Sequence, residues 1–152
     1  MPHSTHGGAS LNRLAASATT HCLTGCAIGE VLGFVLGTWR GWGNLPTLVV
    51  AIVLAYIFGY SFTLGPLLRG GVPLRTALAL ALAADTLSIT VMEIVDNAVV
   101  LVVPGAMRAG LGDGLFWGSL ALALAVAWLA AFPVNRWLIA RGRGHAVVHG
   151  HH

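Results

Sequence analysis

The sequence predicts an all-α integral membrane bundle of four transmembrane helices with both termini cytoplasmic. Three observations carry that expectation. Mean hydropathy is +0.82. Only 9% of the 152 residues are charged, where soluble domains carry about 25%. Four apolar runs are separated by Gly-, Pro- and Arg-containing breaks, and each approaches or exceeds the ~20 residues that cross a bilayer core. Hydrocarbon offers no water to backbone groups, so helices are the geometry expected for such runs.

The first run covers 20–39 and closes at Arg40-Gly41-Trp42-Gly43-Asn44. The second covers 46–64; Pro46 fits a first helical turn, where its missing N–H costs nothing. Gly65-Pro66 and the following Gly70-Gly71-Val72-Pro73 are expected to break the pattern. The third run covers 76–103 and stops at Pro104-Gly105. The fourth covers 115–140 and contains Pro133, which predicts a kink. Residues 1–19 read as a polar N-terminal tail and 141–152 as a His/Arg-rich C-terminal tail. No cleaved signal peptide is expected, since the start lacks a basic segment and a continuous apolar core.

All eight basic side chains are arginine. With both ends cytoplasmic, Arg13, Arg69, Arg75, Arg136, Arg141 and Arg143 lie inside and only Arg40 and Arg108 outside, the asymmetry expected of a protein in the cell's inner (plasma) membrane. Trp39, Trp42, Trp117 and Trp137 fall near span ends, where amphipathic rings sit at the interface. No basic run interleaved with aromatic residues suggests nucleic acid as a partner. Two cysteines are too few for a disulfide framework and read as free thiols.

Four of the five acidic residues lie inside the spans: Glu30, Asp85, Glu93 and Asp96. A charge at mid-bilayer costs about 3 kcal/mol on insertion scales. At about 100° per residue, Asp85, Glu93 and Asp96 occupy an arc of roughly 80° on the third helix. Asp85 and Asp96 stand about 16 Å apart along its axis. Asn97, Thr86, Thr90, Ser88 and Met92 flank them. Intramembrane acids of this kind default to an ion or proton pathway, with Glu30, Asp85, Glu93, Asp96 and Asn97 as its residues. The rival reading is ordinary pairing between helices.

The first span carries His21, Cys22, Cys26 and Glu30, the last three on one helical face at four-residue spacing. Thiolate and imidazole suit copper(I) or zinc(II), and Met92 supplies a thioether if the first and third helices adjoin. The metal-ligand candidates are therefore His21, Cys22, Cys26, Glu30 and Met92. Against this, free Cys is commonly a small buried hydrophobe. A neighbouring face bears Gly25, Gly29, Gly33 and Gly37, which predicts close packing against a helix of the same chain or of another copy. Association into a homo-oligomer follows from how little four helices can enclose. The terminal His145 and His149 would share a helical face, though a His-rich tail binds metals unselectively.

The segments His21-Cys22-x-x-Gly25-Cys26-x-x-Gly29-Glu30, Asp85-Thr86-x-Ser88-Ile89-x-Val91-Met92-Glu93-x-x-Asp96-Asn97 and Phe132-Pro133-Val134-Asn135-Arg136-Trp137 resemble an uncharacterised prokaryotic membrane family, domain of unknown function 4396, over about residues 20–149. Members are sometimes labelled copper oxidase. The resemblance favours copper slightly, while the chain has no room for cupredoxin domains.

Three functions compete on these residues. The first is binding or transport of a transition-metal ion, copper or zinc, through the Cys/His/carboxylate site. The second is a proton-coupled carrier or channel for another solute, and the third a non-catalytic assembly subunit of a membrane complex. An enzyme has least support, because no nucleophile–base pair or nucleotide-binding loop stands out.

Overall fold

The computed structural model describes residues 4–141, with side chains from residue 10 onward except Met107. His145, His149 and Arg143 lie outside the described residues. The helices are α1 (Ser4–Arg40), α2 (Asn44–Arg69), α3 (Leu74–Val102) and α4 (Gly114–Ala140), with a 3-10 turn at Ala106–Arg108 before α4. All four long helices have the length and apolarity to cross a membrane, and the described residues contain no strand.

The first two connections are tight for an identifiable reason. Gly41 and Gly71 adopt left-handed φ values of 68° and 85°, a region where side chains are strained. At the end of α1, Trp42 N–H reaches Gly37 O (2.9 Å) and Gly41 N–H reaches Thr38 O (3.2 Å). At the end of α2, Val72 N–H reaches Leu67 O and Gly71 N–H reaches Leu68 O, both at 3.1 Å. Each pair is the six-to-one and five-to-two arrangement that satisfies orphan carbonyls and reverses the chain. Successive helices are therefore antiparallel, α1 and α3 run parallel, and both ends of the described chain lie at one end of the bundle.

Two helices are longer than their apolar runs. α1 continues back through the segment expected to be a polar tail. Residues 10–19 contain neither Gly nor Pro, and Ala15, Ala18 and Thr19 are buried. There Asn135 Nδ2 donates to Thr19 Oγ1 (2.9 Å) and Arg136 Nε to Asn12 Oδ1 (2.7 Å), fastening this turn of α1 to α4. α2 passes through Pro66 and ends at Arg69 rather than at 64. Proline removes the N–H that would bond the carbonyl four residues earlier, here Phe62 O. That carbonyl accepts a hydrogen bond from His21 Nε2 at 2.8 Å. A side chain from α1 thus replaces the missing backbone donor of α2. α4 likewise continues through Pro133.

The bundle buries small residues and turns large ones outward. Ala51, Ala55, Ala77, Ala81, Ala84, Ala123, Ala127 and Ala131 are all almost fully buried, while Leu45, Val53, Ile57, Leu82, Ile94, Leu101, Leu122 and Leu129 are exposed. Such a distribution suits lipid better than water: acyl chains solvate exposed Leu and Ile, and small residues let helix backbones approach. The closest approach is between α1 and α2. A Cβ added to Gly29 would meet the backbone of Leu54 and Ala55, one on Gly33 would meet Ala51, and one on Gly37 would meet Thr47. A Cβ added to Gly25 would lie 3.0 Å from the Cα of Gly59. As α1 advances by four residues, α2 retreats by four, so two small-residue ladders mesh. The glycine ladder is occupied by a helix of the same chain and offers no surface to a second copy.

Candidate functional site

The face of α1 beside the glycine ladder meets α3, and a register joins them. Ser88 Oγ donates to Cys22 Sγ (3.7 Å); Cys22, Cys26 and Met92 share one buried cluster with Ile89; and the carboxyl of Glu30 interacts with those of Asp96 and Glu93. Cys22, Cys26 and Glu30 on α1 advance by four residues, as do Ser88, Met92 and Asp96 on α3. Two parallel helices with the same four-residue step keep their polar faces opposed over successive turns. The seam is soft at its sulfur end and acidic at its carboxyl end.

The acidic end holds three carboxyls from two helices. Glu30, Glu93 and Asp96 are 3%, 5% and 3% exposed, respectively, so water does not dilute their interaction. Among the described residues the groups facing them are one another, the Cys26 thiol and Asn97, with no arginine. Asn97 Nδ2 donates to Glu93 O (2.7 Å) and, at longer range, to Glu93 Oε2 (3.4 Å). One oxygen of each acid (Glu30 Oε2, Glu93 Oε1 and Asp96 Oδ1) is buried with no hydrogen-bond partner among the described residues. Carboxylates accept but do not donate, so a hydrogen bond between two carboxyl groups requires a proton on one of them. The arrangement can hold a shared proton or a cation.

Asp85 takes a different place. It is fully buried, but it lies about 12 Å along the axis from Glu93, toward the end of the bundle that bears the termini. It is not among the groups acting on the three acids. The stripe anticipated on α3 is thus divided, with Glu93 and Asp96 joined by Glu30 and Asp85 apart.

The proposed metal ligands are also divided. Cys22 and Cys26 are free, buried thiols that interact with each other, and Met92 packs beside them. His21 points away from this cluster, with its ring edge-on to Phe62 (centroids 5.3 Å apart) and Nε2 committed to Phe62 O. Among the described residues no group of three or more His, Cys, Asp and Glu side chains is placed to hold a metal ion. A four-ligand zinc site does not fit these residues.

The profile of the family described as "Domain of unknown function (DUF4396)" matches residues 11–144. The chain belongs to that family. The DUF4396 match starts where α1 already lies against α4, so it includes the turn that composition alone assigned to a tail. No curated protein and no solved structure matches the chain.

Several elements of the site escaped sequence reasoning. Thr47, Ala51, Ala55 and Gly59 repeat every four residues, and that spacing was a legible signal for the partner of the glycine ladder. Tyr56 and Tyr60 pair their hydroxyls with Thr90 (2.8 Å) and Thr86 (2.7 Å), fixing α2 against α3. The role of His21 needed two facts far apart in sequence, a proline in one helix and an imidazole in another.

Proposed function

We propose that this DUF4396 protein is a polytopic membrane protein that moves protons across the bilayer through the Glu30–Glu93–Asp96 cluster. The observation that carries the reading is three carboxyls, each at least nine-tenths buried, facing one another across two helices with no cation from the described residues among them. Such a cluster is costly in a membrane, which is why intramembrane acids default to a transport role.

The mechanism follows from where the cluster sits. α1 packs chiefly on α2, and α3 chiefly on α4, so the bundle is two hairpins. Glu30 belongs to one hairpin, Glu93 and Asp96 to the other. Rocking one hairpin against the other separates Glu30 from its partners and passes the shared proton to one side of the seam. Rigid-body motion of one half against another is a common route to alternating access. The arginine distribution supports cytoplasmic termini, which places the Arg40–Asn44 turn outside the cell.

Purified protein in liposomes containing a pH-sensitive dye tests this. Under an imposed potential the wild type acidifies or alkalises the lumen, and Glu30→Gln and Asp96→Asn abolish the flux. Equal flux in wild type, both variants and empty liposomes sinks the reading.

A second reading, copper handling, is favoured by a separate observation: two thiols and a thioether gathered in one buried cluster. Three sulfur donors suit copper(I). In that reading Cys22, Cys26 and Met92 bind the ion, Glu30 serves the adjacent acids, and His21 takes no part. Copper(I) titration against a chromogenic chelator separates the two, since only the copper reading requires stoichiometric binding lost in Cys22→Ser/Cys26→Ser. A homo-oligomer remains compatible with either reading, but the glycine ladder is no argument for it.

A further inference from the structure

A cavity of about 110 Å³ opens at the end of the bundle opposite the termini, with room for several waters. Its upper wall is polar, with Thr38, Asn44 and Thr47 among the residues that line it. Ser119 also lines it, from α4. This serine is 5% exposed, and its Oγ has no hydrogen-bond partner among the described residues. A hydroxyl facing a cavity in the dry part of a bundle is satisfied by water or by what water carries.

The base of the same cavity lies beside the acids. Phe34 and Val100 line it, and they follow Glu30 and Asp96 by four residues on α1 and α3, which is about 6 Å per step. On α1, Phe34 stands one turn from Thr38 and one turn from Glu30, and its ring packs edge-on to Phe116 with centroids 5.3 Å apart. Apolar constrictions of this kind gate pores by excluding water.

We infer that this cavity is the aqueous entrance through which protons, carried by water, reach Glu30, Glu93 and Asp96, and that Phe34 and Phe116 form its gate. The inference rests on the proton-handling reading for its ligand and on the geometry for its path. Ser119 holds water at the inner wall. The ring pair keeps that water from the acids until one ring turns aside.

Cysteine accessibility tests it in a Cys22→Ser/Cys26→Ser background reconstituted in liposomes. Single cysteines are placed at Thr38, Ser119 and Glu30, and a membrane-impermeant trimethylammonium-ethyl thiosulfonate is added to the side opposite the termini. Thr38→Cys and Ser119→Cys are expected to react at comparable rates, and Glu30→Cys at least tenfold more slowly. Adding Phe34→Ala, or Phe116→Leu if Phe34→Ala does not fold, raises the Glu30→Cys rate at least tenfold. An inert Ser119→Cys beside a reactive Thr38→Cys overturns the entrance. A Glu30→Cys rate that is fast with both rings present, or unchanged when either is removed, overturns the gate. Labelling as expected with no proton flux in the wild type leaves the entrance standing and sinks the proton-handling reading instead. Flux without labelling does the reverse.

Discussion

His21 on α1 donates from Nε2 to the carbonyl oxygen of Phe62 on α2, the acceptor that Pro66 deprives of its helical partner. This bond assigns the imidazole a structural task and removes it from the sulfur cluster one residue away. It also explains how α2 continues past a Gly-Pro pair expected to end it.

The bond makes a paired prediction. His21→Ala leaves a carbonyl unsatisfied and should lower stability by about 1–2 kcal/mol. In a Pro66→Ala background the restored amide bonds Phe62 O, and the same substitution should cost less than half as much. Thermal unfolding of the four proteins in one detergent checks it; equal costs in both backgrounds would show that Pro66 is not what His21 compensates.

The glycines of α1 should not be equivalent. Gly29→Ala and Gly33→Ala drive a methyl into the α2 backbone, whereas at Gly25 the nearest atom stands at 3.0 Å. The first two should lower the unfolding midpoint clearly, by the 1–3 kcal/mol typical of overpacking, and Gly25→Ala by less. Gly65→Ala meets nothing within 4 Å and should be neutral or stabilising by up to about 1 kcal/mol, since alanine is the better helix former. The order of the four midpoints is the measurement, and a uniform response would contradict meshed ladders.

Stability and activity should part at Glu30. Glu30→Gln replaces one of three mutually facing acids by an amide that donates to the other two. Its midpoint at neutral pH should equal or exceed that of the wild type by a few degrees, while proton flux is lost. Gains in stability that cost function are common at sites built for activity. A variant that is both unstable and inactive would mark Glu30 as a structural group.

The buried amide–hydroxyl pair should anchor the early part of α1. Asn135→Ala leaves Thr19 without the donor that reaches it at 2.9 Å across the bundle and opens a void, so a loss of about 1–3 kcal/mol is expected. Proteolysis near residues 10–20 should accelerate in the variant more than cleavage at the Gly41 turn. Equal acceleration at both places would show global rather than local loosening.

The acid positions, the four runs and the glycine spacing were legible in the chain because each is a one-dimensional signal. A run of apolar residues needs only bilayer thickness to be interpreted, and a four-residue repeat needs only the helical period. The length of α1 was not legible, since Ala, Ser and Thr around residues 15–19 are neither apolar enough to mark a span nor polar enough to exclude one.

Composition and periodicity by themselves determined that the protein has four helices long and apolar enough to cross a membrane, with acids within them and a close-packing face on the first. Tertiary structure decided which acids meet. It joined Glu30 to Glu93 and Asp96, set Asp85 apart, gave the glycine ladder to α2, and turned His21 away from the thiols toward a carbonyl that a proline had stripped of its donor. The reason is geometric. Periodicity fixes the angle at which a side chain leaves its own helix, but only the packing of that helix against its neighbours fixes what it faces.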